Sequence, residues 1–164
     1  MHRFFLDGIS EFERGKRVVA VKELSAAEDY ADDAFPRGGL IPSSIVVEII
    51  AHTASVFVSA SHDFRVKAVP ILLTTVSFHG ALRPGARLTV EEHVVSLEEH
   101  TALMRAVGMS EGEKVVEAEF VMGFGSENGT WALPVDEGVQ RSYFEALLKG
   151  SPRQKVPAED PATC

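Results

Sequence analysis

A glutamate and a histidine four residues apart, inside an otherwise apolar run, are the side chains of this sequence best suited to acid–base chemistry. The run extends from Ile45 to Ala60, and its polar interruptions are Glu48, His52, Ser55 and Ser59. Spacings of four, three and four put them on one side of a helix, so that side should meet something polar. Glu48 is flanked by Val46, Val47, Ile49 and Ile50. Burial among them would raise its pKa and favour the protonated acid. The plainer reading of Glu48 is a helix carboxylate bonded to a neighbour or facing an interface. His52 could serve as a base on the same face, although a histidine that only makes a hydrogen bond there is the commoner case.

Positioning that stripe requires a helix. Pro42 can occupy a first helical turn, and Ser43 and Ser44 offer capping oxygens. About 18 residues without Gly or Pro exceed ordinary strand length despite the β-branched content. The run is interrupted too often to span a bilayer, and being apolar nearly all round it should be buried on most sides. Strands are expected from near Leu6 to Phe12, paired with Arg17 to Lys22, and then at Ile71–Phe78, Arg87–Ser96, Ala102–Met109 and Lys114–Gly123, separated by turn-forming or charged residues. One buried helix followed by four β segments implies an α+β fold with an antiparallel sheet. Val139, Tyr143 and Leu147, with Phe144 and Leu148 beside them, predict a short amphipathic helix over 136–149 ending at Gly150. The division is therefore a main domain at 1–125, an extension at 126–150 and a tail at 151–164, rich in proline and expected to be disordered.

Two stretches carry a resemblance. Asp33-Ala34-Phe35-Pro36-Arg37-Gly38-Gly39-Leu40-Ile41-Pro42, followed by Val46 to His52 with Glu48 in its place, resembles the 3-hydroxyacyl-acyl-carrier-protein dehydratase signature. Val76-Ser77-Phe78-His79 through Arg83-Pro84-Gly85, and Gly112 through Phe120, resemble two further blocks of that family, so the likeness spans about residues 4–123. It implies a single hot-dog domain, an antiparallel sheet wrapped around a long central helix, forming a dimer with active sites across the subunit interface. It also implies elimination of water from a 3-hydroxyacyl thioester by one His and one Glu, with the carbonyl polarised by a backbone N–H at the start of the central helix and the acyl chain in an apolar tunnel. Carried over, Glu48 falls on the family's acid, Ala34 on its histidine, His52 on a glutamine and Ser43 on a glycine. The catalytic candidates are then Glu48, with His52 or Asp33 as helpers, although a turn aspartate is more often a local cap. The substrate-binding candidates are Ala34, Phe35, Pro36, Ile41, Ser43 and Phe78.

The implied substrate is a thioester of acyl carrier protein or coenzyme A. Because Ala34 removes the family's histidine, two alternatives stand beside a dehydratase: a partner subunit of an active dehydratase that does no chemistry itself, and a thioesterase using Glu48. A homodimer is expected, and a heteromer with an active dehydratase is the other possibility. Arg37, Arg83 and Arg87 could hold an acidic carrier or a phosphate, though solvated arginine is the usual case. The 164 residues suit one domain. A net charge of −8 disfavours nucleic acid and anionic lipid as partners. The single cysteine, Cys164, allows no internal disulfide, and residues 1–7 lack the apolar core of a signal peptide, so a cytoplasmic location is expected. His62, His93 and His100 show no ligand spacing, His79 reads as a sheet-face side chain, His2 as a terminal one, and no phosphate-binding glycine loop occurs. No metal or cofactor is called for.

Overall fold

The computed structural model describes residues 5–25, 39–125 and 136–150. Asp33, Ala34, Phe35, Pro36, Arg37 and Gly38, like His2 and the tail at 151–164, lie outside the described residues.

Six strands and two helices follow in the order β1 (Gly8–Glu13), β2 (Arg17–Glu23), α1 (Ser43–Ser61), β3 (Lys67–Phe78), β4 (Arg87–Leu97), β5 (Thr101–Ser110), β6 (Glu113–Gly125) and α2 (Glu137–Gly150). All described pairings are antiparallel, in the sheet order β1-β2-β4-β5-β6-β3. Alternation along each strand separates two faces. On the inner face Val18, Leu88, Val90, Met104, Ala106, Val116, Phe120 and Met122 are buried around Ile49, Ala54 and Phe57 of α1. The outer face carries ion pairs such as Arg17–Glu91 at 2.8 Å and Arg105–Glu119 at 2.9 Å. This is the helix-in-sheet arrangement expected from the sequence. By length and composition α1 could cross a membrane, but it is the core helix of this sheet and half of that stretch is buried.

Three local expectations need correction. The N-cap of α1 is Pro42 itself, with no side-chain capping bond, so Ser43 and Ser44 are first-turn residues and not caps. Strand β3 begins at Lys67, four residues before the expected start, and includes Pro70. A proline is tolerated there because β3 is an edge strand, with β6 its one neighbour in the sheet. In α2 the inward residues are Phe144 and Leu147, whereas Val139 is 65 % exposed.

Helix α2 is held at several points. Phe144 packs edge-on against Phe12, with ring centroids 5.1 Å apart, and tilted against Phe64 at 5.6 Å. Arg141 lies 4.8 Å over the Phe64 ring and donates to the Asp63 carbonyl at 3.2 Å. At its end a Cβ on Gly150 would stand 2.7 Å from the Asp7 carbonyl oxygen, so only glycine allows that approach. These contacts seat α2 against β1 and the turn that follows α1.

Candidate active site

The polar stripe of α1 meets a partly polar surface, as its spacing requires. Glu48, His52, Ser55 and Ser59 all line one cleft of about 460 Å³ between α1, β3 and α2. The opposite wall brings Lys67 from β3, Asp136 from just before α2, and Gln140 and Tyr143 from α2, while Val56, Phe64 and Pro70 supply apolar surface. Ser55 donates its hydroxyl proton to the Ala51 carbonyl at 2.9 Å, a bond within the helix that leaves its oxygen available as an acceptor. On the other side of Glu48 a second groove of about 310 Å³ is almost wholly apolar, lined by Val47, Ile50, Ala51, Ile71, Leu72, Leu73 and Phe120 among others. Glu48 lines both, so the carboxyl stands where the polar cleft and the apolar groove meet.

The burial expected of Glu48 is not met in the single chain, where the residue is exposed. Val46, Ile49 and Ile50 are buried, whereas Val47 is half-buried and lines the apolar groove beside Glu48, which lies on the open side of α1, toward edge strand β3. His52 is different. Its Nε2 lies 3.1 Å from the Tyr143 hydroxyl, and its ring is flanked by Phe5 at 5.6 Å and Tyr143 at 5.7 Å between centroids. Burial holds the His52 imidazole below its ordinary pKa, which favours the neutral ring. Burial, reinforced by the Asp7 charge and opposed by a backbone hydrogen bond from Leu6, pushes the Tyr143 phenol up to about 12.

The remaining sequence candidates fall elsewhere. Ile41, Ser43 and Phe78 share a pocket of about 410 Å³ with Val46 and His79, at the N-terminal end of α1. Glu48 is five residues further along, about 7.5 Å of helix rise. The structure thus brings Glu48 and His52 together and sets these three apart. His79 lies past the end of β3, exposed, and pairs with Glu117 at 3.1 Å. Arg87 pairs with Glu23 at 3.2 Å on the surface. His62 bonds the Val58 carbonyl at 2.8 Å, and His93 bonds Glu91 at 2.7 Å. Among the described residues no group of three or more His, Cys, Asp or Glu side chains could hold a metal ion.

Two residues escaped the sequence reading. In the sequence Tyr143 reads only as part of an apolar helix face, and nothing local signals that its hydroxyl meets α1. Glu92 is fully buried on the inner face of β4, opposite Val18 and Ala106, and neither carboxyl oxygen has a hydrogen-bond partner. Burial drives its pKa well above the ordinary value. The signal was present: position 92 continues the alternation of Leu88, Val90 and Val94.

Comparison with known proteins fits this geometry. The family model described as the FabA-like domain matches residues 2–119. A 3-hydroxyacyl-[acyl-carrier-protein] dehydratase FabZ from Caldicellulosiruptor bescii is 30 % identical over 125 residues, covering 73 % of this chain and 89 % of that protein. Another from Bacillus cytotoxicus is 27 % identical over 130 residues, covering 77 % and 90 %. Among solved structures, a Streptococcus mutans protein bound to acetyl CoA aligns with a TM-score of 0.58 at 18 % identity, over 73 % of this chain and 88 % of the other. A hypothetical thioesterase with coenzyme A from Streptococcus pneumoniae aligns at 0.57 and 17 %, over 72 % and 84 %. At those identities the structures establish the shared hot-dog fold. With the family model spanning β1 through most of β6, and with α1 and its Glu48 inside it, the chain belongs to the FabA-like domain family.

Proposed function

We propose that the protein acts on a 3-hydroxyacyl thioester, carried by acyl carrier protein or coenzyme A, and eliminates water from it at Glu48. The observation that carries this reading is the place of Glu48 between an apolar groove and a polar cleft. A thioester laid along α1 would bury its acyl tail among Val47, Ile50 and Leu73 and direct its polar arm past His52 and Gln140. The reaction centre then falls at the carboxylate. Glu48 takes the C2 proton, the C3–O bond breaks as the C2–C3 double bond forms, and Glu48 returns the proton to the departing hydroxyl. Water and a 2-enoyl thioester are the products. One carboxylate thus does the work of two groups, as Ala34 requires, and a missing second group typically lowers the rate about 10²–10⁴-fold.

The open side of the groove calls for a cover. Ile71, Leu72 and Leu73 of edge strand β3 are 45–57 % exposed, and an unpaired apolar edge is a template for a further strand. A second copy of this chain pairing there would enclose the groove and take Glu48 out of bulk water. Ala34 also favours a second reading, in which the partner at this edge is an active dehydratase that supplies its own histidine.

Incubation of purified protein with 3-hydroxyacyl thioesters of carrier protein and of coenzyme A, followed by mass analysis, tests this. The expected product is a 2-enoyl thioester, formed slowly, lost in Glu48→Gln and increased by Ala34→His. Free acid released in place of the enoyl product would make the protein a thioesterase. Neither binding nor turnover, alone or mixed with an active dehydratase, would overturn both readings.

A further inference from the structure

We propose that α2 makes the cleft beside Glu48 a subsite for a neutral chain bearing amide or hydroxyl groups, with Gln140 as the side chain that selects it. The inference rests on the reading of Glu48 as an acyl-thioester site and names the substrate chemistry that the extension recognises. The segment matched by the family model ends at residue 119, before α2 begins, so this wall is an addition to the common fold.

Two helical stripes face each other across the cleft. On α1 the stripe is Glu48, His52, Ser55 and Ser59; opposite it Asp136, just before α2, and Gln140 and Tyr143 within α2 follow at spacings of four and three, again one side of a helix. Phe144 and Leu147 seat α2 on the core. The polar stripe beside them therefore stands off from α1 across about 460 Å³ of space, where a packed helix pair would leave none. From Glu48 to Ser59 the space follows α1 for about 16 Å of helix rise. His52 and Tyr143 are joined to each other at 3.1 Å. The Ser55 oxygen remains an acceptor after its bond to Ala51. Gln140 is half-buried, and its side chain makes no hydrogen bond among the described residues, which leaves two N–H donors and a carbonyl acceptor at the cleft.

That lining discriminates between occupants. A plain alkyl chain would strip water from Ser55, Ser59 and Gln140 and return no hydrogen bond, a loss for each group left unpaired. An anionic chain would meet two carboxyls, Glu48 and Asp136, against one ammonium, Lys67. A secondary amide or a hydroxyl both gives and accepts, as the Gln140 amide does, while Val56, Phe64 and Pro70 cover the methylene segments between such groups. The pantetheine arm of the thioester carries this chemistry, and it passes Gln140 when the acyl tail lies in the apolar groove. An acyl chain oxygenated beyond C3 carries the same chemistry.

Isothermal titration calorimetry with three thioesters that cannot lose water separates the two sources. Hexanoyl-N-acetylcysteamine is the reference, hexanoyl-pantetheine completes the arm, and 5-hydroxyhexanoyl-N-acetylcysteamine adds a hydroxyl to the chain. Wild type should bind at least one of the two extended probes about five- to tenfold more tightly than the reference, the scale of one hydrogen bond. Gln140→Leu should remove that advantage and leave the affinity for the reference unchanged. An advantage of the pantetheine probe assigns the cleft to the arm, and an advantage of the hydroxylated probe assigns it to the acyl chain. Equal binding of all three probes, binding of none, an advantage that survives Gln140→Leu, or the same loss in Glu145→Gln on the exposed side of α2 would overturn the proposal. Failure of the Glu48 reading is separate: it would show as unchanged turnover in Glu48→Gln, with the Gln140-dependent affinity intact.

Discussion

Replacing Glu92 with methionine should stabilise the protein, increasingly so as pH rises. The side chain is fully buried between Val18 and Ala106, with both oxygens unpartnered. An unsatisfied buried polar group costs about 1–3 kcal/mol even when uncharged. Methionine has similar length and no polar atom to desolvate, so Glu92→Met should recover about that much at acid pH. Ionisation adds a second effect. Because burial raises the native pKa well above 4.5, the unfolded chain releases the proton first as pH rises. Between the two pKa values the native state binds more protons than the unfolded state, so wild-type stability falls by about 1.4 kcal/mol per pH unit from this residue. The loss begins as pH passes 4.5, and it stops growing once pH exceeds the native value. Below 4.5 both states are protonated and the contribution vanishes. Urea denaturation of both proteins at half-unit steps from pH 4 upward measures the difference directly. A variant less stable than wild type, or a stability gap that does not change with pH, would refute the reasoning.

Leu72→Asp places a charge on the most exposed apolar residue of edge strand β3. In analytical ultracentrifugation wild type should sediment as a dimer and the variant as a 17.8 kDa monomer; a wild-type monomer would remove the proposed cover. Gly150→Ala forces a Cβ to within 2.7 Å of the Asp7 carbonyl oxygen, a backbone atom that cannot swing aside. It should cost about 1–3 kcal/mol in chemical denaturation, the scale of overpacking a tight contact. An unchanged midpoint would show that the end of α2 does not need that approach.

What the sequence determined by itself was local and periodic. The three- and four-residue spacing of Glu48, His52, Ser55 and Ser59 could only be a helix face, and that face does line the cleft. Strand alternation and turn residues located six strands to within a few positions, because each signal lies within the element it specifies. Pairing across distant strands and the docking of α2 depend on which surfaces meet, and no single segment encodes that. The hydroxyl of Tyr143 reaches His52 across 91 residues of chain, while the four-residue spacing of Val139, Tyr143 and Leu147 marks it only as one more apolar contact. The inward charge at position 92 was legible in the alternation, but its lack of partners is a property of the assembled core. Glu48 shows the limit most plainly. Apolar sequence neighbours promised burial, yet the helix turns Val46, Ile49 and Ile50 into the core and leaves Glu48 outside it with Val47, so exposure is decided by what packs against that side.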